Sequence, residues 1–270
     1  MKIIDAHFHF HGYEDFSRQA KAAGHENTRE HLSQVYAKAG IVHGIVMGNG
    51  GLALETHQYP EFMSYCIGLD ESLPEGLDSG RAVLLVEEHL RRRSCAGIKI
   101  YAGYAHYYVT DKIYTPFYEL AEKYQKTVAI HTGATAGHMG LLKYSHPLTV
   151  DELACVFPQV QFVMCHLGNP WIQDAVAVMD KNENVAADLS GLLEGRIDIP
   201  QFFHEKKGYL DYIRTWLSYL GDYDRILYGT DWPLVNLFEY IELVKELVPE
   251  KYYDKVFYEN TRRIYKLPVS

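Results

Sequence analysis

The hydrophobic pattern of the chain opens with a β-strand at the N-terminus. Across residues 3–10, β-branched and aromatic side chains alternate with polar or small ones, as in a half-buried strand. Because strand side chains repeat every two residues, this pattern predicts Asp5, His7 and His9 on one face, with apolar side chains on the other. A polar stretch, 11–26, follows the strand.

Seven more short apolar segments follow, and helical periodicity fills most of the intervals between them. The further predicted strands are 41–47, 65–69, 97–101, 127–131, 160–166, 184–190 and 225–229. The predicted helices are 28–39, 79–93, 116–125, one opening at Thr149, one after Pro170, then 203–220, 234–247 and 252–265. Two capping boxes mark helix starts, Asn27 with Glu30 and Thr149 with Glu152, and Gly40 ends the first helix.

The alternation of strands and helices predicts a parallel sheet with right-handed crossovers. Eight units in 270 residues favour a closed (β/α)8 barrel, which needs about 250 residues, over an open doubly wound sheet. We therefore expect a single domain spanning 1–270, with strand one beside strand eight. The third unit fits this pattern least well, because little sequence separates the second strand from the third.

Charge narrows the classes of partner. The formal net charge of −9 disfavours nucleic acid and anionic membranes, both of which bind basic surfaces. The only basic run, 91–93, lies at the end of a predicted helix, where cations complement the helix dipole. No apolar run approaches the roughly 20 residues of a membrane span. We expect a small-molecule substrate, and the sequence leaves homo-oligomer formation open.

The four cysteines indicate a reducing compartment. They lie in or beside apolar segments and include no C-x-x-C pair, so neither a disulfide framework nor a zinc ribbon is expected. Met1 and Lys2 lead directly into the first strand without a signal peptide, which predicts a cytoplasmic protein. Cys165 precedes His166 on a predicted strand, so we expect it to face the opposite way, into the core.

Five candidate metal ligands or catalytic groups stand at the ends of predicted strands. His7 and His9 end strand one, His131 ends strand five, His166 ends strand six, and Asp231 follows strand eight. In (β/α)8 barrels the carboxyl ends of the strands meet at one rim, where functional residues cluster. Imidazole and carboxylate groups suit zinc or a similar divalent ion with one position left for water. The sequence therefore predicts a metal centre at this rim.

Several motifs also carry a family resemblance. They are Asp5-Ala-His-Phe-His, His131-Thr-Gly, His166-Leu-Gly, Gly229-Thr-Asp-Trp-Pro and Glu259-Asn-Thr-Arg-Arg-Ile-Tyr. These motifs, their order along the chain and their positions in the barrel resemble those of the amidohydrolase superfamily. The similarity is to its amidohydrolase-related branch, which includes aminocarboxymuconate-semialdehyde decarboxylase and related metal-dependent hydrolases. It covers essentially the whole chain.

This resemblance implies a distorted (β/α)8 barrel with a divalent ion held by His7, His9, His131 and Asp231. We expect one ion, zinc. His166 would be the catalytic histidine that faces the metal-bound water, and Asp231, besides being a ligand, would take that water's proton. Histidine is suited to acid–base work near pH 7.

Three further residues are candidates for binding substrate. Lys99 points into the barrel if Ile98 and Ile100 pack outward, and there it binds a substrate anion or forms a structural ion pair. In binuclear members of the superfamily a strand-four lysine is carboxylated and bridges two ions, so a second metal at Lys99 stays an alternative. Tyr101 begins a tyrosine-rich loop that either forms a substrate wall or covers the rim. Arg196, after strand seven, is a candidate carboxylate clamp or a solvated residue.

Three functions fit these features. The first is a metal-dependent hydrolase of a small, anionic amide, ester or lactone. The second is a metal-dependent non-oxidative decarboxylase on the same scaffold, and the third is a non-catalytic relative that retains the barrel. The complete ligand set disfavours the third, since a chain released from catalysis need not keep it. We expect a hydrolase, by analogy of fold.

Overall fold

The computed structural model describes residues 1–70, 76 and 80–269, and its eight parallel strands form one sheet in sequence order. The strands are β1 (Ile3–Phe8), β2 (Ile41–Met47), β3 (Met63–Leu69), β4 (Cys95–Ile100), β5 (Thr127–Ile130), β6 (Phe162–Met164), β7 (Val185–Asp188) and β8 (Ile226–Leu227). The helices are α1 (Glu14–Ala22), α2 (Arg29–Ala39), α3 (Gly80–Leu90), α4 (Thr115–Tyr124), α5 (Leu148–Val156), α6 (Ile172–Lys181), α7 (Ile199–Glu205), α8 (Lys207–Leu220), α9 (Leu237–Leu247) and α10 (Asn260–Ile264). The predicted (β/α)8 fold is confirmed.

Backbone hydrogen bonds between β1 and the segment after β8 close the barrel. The amide of Ala6 donates to the carbonyl of Tyr228 at 2.9 Å. Beyond it, the amide of Asp231 donates to the carbonyl of His7 at 2.8 Å, and the amide of His9 donates to the carbonyl of Trp232 at 2.7 Å. Strand one therefore lies beside strand eight, as the sequence predicts.

The barrel has an inner and an outer apolar layer. The inner cluster takes one or two side chains from each strand and adds Ile264, Tyr265 and Leu267 from the C-terminal segment. The hydroxyl of Thr127, at the start of β5, donates to the carbonyl of Ile264 at 2.7 Å. The C-terminal segment thus covers the amino ends of the strands. The carboxyl ends are left to form the site.

An irregularity in β1 changes which face its side chains occupy. Three residue steps of β1, from Asp5 to Phe8, align with only two steps of β2. Ala6 lies in the inner cluster and Phe8 in the outer one. Asp5 faces the helix side, where the hydroxyl of Tyr36 on α2 donates to it at 2.9 Å. The expectation that Asp5 shares a face with His7 and His9 is therefore wrong, because the extra residue reverses the alternation.

The loop after β6 also departs from the predicted strand. β6 ends at Met164, and His166 and Leu167 adopt left-handed backbone conformations with φ of 63° and 47°. Cys165 belongs to the inner cluster, and its Sγ lies 2.8 Å from Nζ of Lys99. Cys165 is buried as predicted, but it does not face away from the site, because the backbone at His166 is not extended.

Several helix boundaries differ from the predicted ones. Helix α1 lies within the polar stretch 11–26, for which no helix is predicted, and its buried side chain is the small Ala20. Thr28, not Asn27, caps α2, since its Oγ1 accepts from the amide of His31 at 3.2 Å. Gly40 ends α2 in the left-handed conformation, as predicted.

The remaining helix predictions need smaller corrections. Pro147 precedes α5 without a side-chain cap, and the hydroxyl of Thr149 instead donates to the carbonyl of His146. The predicted helix 203–220 is two helices, α7 and α8. Ser79, the predicted first residue of α3, lies outside the described residues. Within the described ranges, no helix is both long and apolar enough to cross a membrane.

Candidate active site

Three of the predicted metal ligands converge at the carboxyl rim of the barrel. Nε2 of His7 lies 3.4 Å from Oδ1 of Asp231, and Nε2 of His9 lies 3.3 Å from the same oxygen. Ligand atoms of the three residues lie within 4.8 Å of one another. Asp231 follows β8 in a left-handed conformation with φ of 59°. One ion can therefore be reached by two imidazoles and a carboxylate.

The hydrogen bonds of the two histidines fix which ring nitrogen faces this centre. Nδ1 of His7 lies 3.0 Å from Oδ2 of Asp188, and Nδ1 of His9 lies 2.8 Å from Oδ1 of Asn49. Both partners are acceptors, so each Nδ1 carries the proton and each Nε2 has a free lone pair. Burial lowers the pKa of His7 to about 4, more than Asp188 raises it.

This arrangement fits a divalent cation. Nε2 of His7 is buried and has no hydrogen-bond partner among the described residues. Two nitrogen lone pairs directed at the carboxylate of Asp231 repel it unless a cation lies between them. The donor set therefore suits zinc or a similar ion.

His131 lies at the same rim but outside the three-residue group. Its Nε2 lies 3.1 Å from the carbonyl of Ala134, which accepts the ring proton and leaves Nδ1 with a lone pair. That Nδ1 lies 3.2 Å from Nε2 of His166. Burial, and next the proximity of His166, lower the pKa of His131 well below its ordinary value. His131 thus presents a neutral nitrogen of the kind that a metal binds.

His166 lies between the rings of His7 and His131, with centroids 4.8 and 4.9 Å away. Nδ1 of His166 lies 2.9 Å from Oγ of Ser190, whose own proton goes to Oδ1 of Asp188. Oγ of Ser190 therefore accepts from Nδ1 of His166, which leaves Nε2, on the side of His131, with a lone pair. Burial lowers the pKa of His166 more than Asp231 and Asp188 raise it, so the ring is neutral near pH 7. His166 is therefore placed to take up a proton in the pocket and to pass it on.

Asp188 organises both halves of this site. One oxygen contacts Nδ1 of His7, while the other accepts from the backbone amides of His166 at 2.9 Å and Ser190 at 3.1 Å. The carboxylate is fully buried. Burial raises its pKa, but His7 and His166 reverse the effect, and the pKa falls below the ordinary value. An ionised Asp188 thus orients a ligand and also supports the left-handed turn at His166.

Lys99 points into the barrel, because Ile98 and Ile100 pack in the outer cluster. Its side chain is 1% exposed, and Nζ lies 2.8 Å from Sγ of Cys165 and 5.4 Å from the centroid of the Tyr101 ring. No carboxylate of the described residues lies within ion-pair distance of Nζ. The structural ion pair that the sequence left open is therefore absent from this part of the chain.

The other two substrate-binding candidates have different outcomes. Tyr101 lines the pocket, and its hydroxyl donates to the carbonyl of Gly48 at 2.9 Å. Arg196 does not line that pocket. Its side chain is 65% exposed and pairs with Glu239 at 3.2 Å. Because Glu239 also accepts from the amide of Ile197, this loop holds the guanidinium outward. This exposure favours the solvated alternative, and the carboxylate clamp stays a prediction.

A pocket of about 440 Å³ contains the metal-binding and catalytic candidates. His7, His9, His131, His166 and Asp231 form part of its wall. Aromatic rings and Lys99 form much of the remainder; they include Phe16, Tyr13, Tyr101 and Tyr104. This volume is that of a small-molecule site.

Sequence reasoning missed Asp188, Asn49 and Ser190. Asp188 is the last residue of β7, so the strand-end argument used for the histidines would have identified it. Asn49 lies in the glycine-rich loop after β2, at the same rim. No sequence signal distinguishes Ser190 from other loop serines, because its role depends on the turn at His166.

The model of a protein family described as amidohydrolase matches residues 4–267. A search of curated proteins found no match. Among solved structures, an amidohydrolase of Burkholderia multivorans with bound zinc has 14% identity and a TM-score of 0.70, covering 99% of this chain and 100% of its own. At this identity the likeness shows the barrel fold.

Two further solved structures resemble this chain in fold. A probable 2-pyrone-4,6-dicarboxylic acid hydrolase of Acinetobacter baumannii, with citric acid bound, has 16% identity and a TM-score of 0.66, covering 98% of this chain and 100% of its own. A 2,6-dihydroxybenzoate decarboxylase of Rhizobium has 15% identity and a TM-score of 0.66, covering 100% of both chains. The same barrel thus occurs in a named hydrolase and in a named decarboxylase.

Proposed function

Because this chain belongs to the amidohydrolase family of metal-dependent enzymes, we propose that it is a zinc hydrolase of a small, anionic amide or ester. One ion would be held by His7, His9, His131 and Asp231. The observation that carries this proposal is that each of the three histidine rings makes a hydrogen bond on the side away from the metal centre. Asp188, Asn49 and the carbonyl of Ala134 each bind the far nitrogen of one histidine, so that all three present unprotonated nitrogens.

A bound divalent ion would supply a Lewis acid that polarises a carbonyl and makes water easier to deprotonate. Asp231, ionised near neutral pH, is positioned to accept a proton from water at the centre. Nε2 of the neutral His166 ring can take up a proton and deliver it to the leaving atom. Ser190 and Asp188 hold the ring and the backbone of His166 in place.

Lys99 would bind the anionic group of the substrate. A buried ammonium without a carboxylate partner among the described residues is costly, and a substrate anion would offset that cost. Within the described residues, Nζ of Lys99 has a hydrogen-bond contact with Sγ of Cys165, which is only a weak acceptor. We place the enzyme in the cytoplasm, which agrees with four cysteines that are all free thiols.

Decarboxylation is the alternative, favoured by the fold shared with a named decarboxylase. The test begins with protein stripped of metal by a chelator and reloaded with zinc. We expect one equivalent of zinc, hydrolysis of succinanilate (N-phenylsuccinamate) that depends on it, and no release of carbon dioxide from 2,6-dihydroxybenzoate. Zinc-dependent carbon dioxide release without hydrolysis would favour the alternative. Unchanged hydrolysis by metal-free protein would contradict both.

A further inference from the structure

A second pocket of about 310 Å³ adjoins the one that contains Lys99. The two have six wall residues in common, namely Tyr104, His131, Ala136, His166, Asp231 and Leu234. Three of these are the proposed ligands His131 and Asp231 and the proposed proton donor His166. The proposed reacting groups therefore border both compartments, and a substrate that occupies both would pass the metal centre.

The two compartments differ in chemistry. The first compartment contains the buried ammonium of Lys99. Two carboxylates outside the metal centre also line this compartment, and each has a partner. Asp15 contacts Arg18, and Asp70 accepts from the amide of Gly50.

The second compartment has no cationic side chain in its wall among the described residues. Its own wall residues include Leu192, Leu193, Thr135 and Asn169, with Glu194 exposed at the edge. An anionic group is favoured at Lys99, whereas an apolar or cationic group is favoured beside Leu193 and Glu194.

Building on the proposed function, we propose that the substrate is an amide with two unlike halves. A carboxylated acyl half lies against Lys99, and an uncharged or basic amine half lies against Leu193. Water oxygen bonds to the acyl carbon, the carbon–nitrogen bond breaks with its electron pair on nitrogen, and the water's proton reaches that nitrogen through His166. The remaining proton of the water leaves the new carboxyl group for solvent, so the products are a dicarboxylate, an amine and a proton.

The second compartment bears on the choice between hydrolysis and decarboxylation. Decarboxylation expels carbon dioxide, a three-atom product that needs little space beyond the metal centre. Amide hydrolysis expels a whole amine, which needs a compartment of its own on the far side of the reacting bond. A volume of about 310 Å³ fits such a leaving group.

The test measures binding of three probes to zinc-loaded protein by calorimetry. Succinanilate has both halves, N-methylsuccinamate lacks the large amine, and acetanilide lacks the carboxylate. We expect succinanilate to bind about tenfold more tightly than either of the others. Leu193→Trp narrows the second compartment, so it should weaken succinanilate about tenfold and leave N-methylsuccinamate within about twofold. Lys99→Met should weaken both succinamates and spare acetanilide.

Two controls make the outcome decisive. Leu148→Trp makes the same substitution at an exposed leucine outside both compartments and should change no affinity. Leu193→Ala, which enlarges the compartment, should keep succinanilate binding if the tryptophan variant does not fold. Zinc is titrated first: failure to bind zinc overturns the proposed function. Two outcomes with normal zinc binding would overturn only the proposal of a substrate with two unlike halves. In the first, Leu193→Trp weakens both succinamates equally; in the second, succinanilate does not bind.

Discussion

His7 and Asp188 are joined by a hydrogen bond of 3.0 Å, and both side chains are completely buried. The carboxylate holds the proton of the imidazole on Nδ1, so the opposite nitrogen is free to bind a metal. The same carboxylate accepts from the amide of His166. A single residue at the end of β7 therefore prepares a proposed ligand and positions the proposed proton donor.

Replacing Asp188 with Asn should weaken zinc binding about 10- to 100-fold, because the amide no longer compels the Nδ1 tautomer of His7. Competition with a chromogenic zinc chelator measures the affinity. Asp254→Asn, at an exposed carboxylate that does not line the pocket, removes the same charge and serves as the control. Equal zinc affinities in the two variants would show that Asp188 does not tune the ligand.

His166→Asn should keep one equivalent of zinc while lowering kcat by about 10²- to 10⁴-fold, the usual cost of losing a positioned acid–base group. Asparagine is chosen because it tolerates the left-handed backbone that His166 adopts. Metal analysis and turnover are measured on the same sample. His204→Asn, at an exposed histidine, should change neither. Loss of zinc from His166→Asn would make His166 a ligand and refute its assigned role.

The number of ions depends on Lys99. We expect one zinc per chain and an unmodified lysine, because Nζ already contacts Sγ of Cys165 inside the barrel. Protein prepared with excess zinc and bicarbonate is examined by metal analysis and by intact mass. Lys99→Met should bind the same single equivalent. Two equivalents in the native chain, lost in this variant, together with the added mass of one carbon dioxide, would establish a carboxylated lysine and a second ion.

The strand-end argument identified, from sequence alone, residues that converge in the candidate site. His7, His9 and Asp231 converge because parallel strands bring their carboxyl ends to one rim. Sequence spacing does not specify hydrogen-bond partners, so it did not reveal that His131 contacts His166. It also did not reveal Asp188, although this residue satisfies the same strand-end criterion.

The features that the sequence did not reveal have local physical causes. The alternation rule placed Asp5 with the histidines, but an extra residue in β1 turned it toward Tyr36. Cys165 reaches the inside of the barrel because of the left-handed turn that follows it. Arg196 faces solvent because a residue 43 positions away, Glu239, binds it. A bulge, a positive φ and a long-range ion pair leave no periodic signal in a single sequence.

Acid should destabilise the protein partly through His43. Burial lowers its pKa to about 4, whereas an unfolded histidine titrates near about 6.5. Between these values the unfolded chain binds more protons, so stability is lost as the pH falls through this window. From pH 7 to 5 this residue should remove about 1–2 kcal/mol of unfolding free energy.

Urea unfolding at pH 7 and at pH 5 measures this loss of unfolding free energy for the native chain and for His43→Gln. In His43→Gln the loss should be smaller by the contribution of His43. His138→Gln changes an exposed histidine and should retain the native difference. An unchanged pH dependence in His43→Gln would show that His43 is not responsible.

The seam between β1 and the loop after β8 depends on Asp5. Its buried carboxylate accepts from the hydroxyl of Tyr36 at 2.9 Å and from the amide of Thr230, next to Asp231, at 3.0 Å. Tyr36→Phe leaves that carboxylate with one donor fewer, so the unfolding free energy should fall by about 1–3 kcal/mol. Urea unfolding of the zinc-free protein measures it, since bound metal would add its own stabilisation. Tyr219→Phe removes a hydroxyl from a tyrosine that is 66% exposed, and it should cost far less. If both variants lose the same stability, the bond from Tyr36 to Asp5 does not hold the seam.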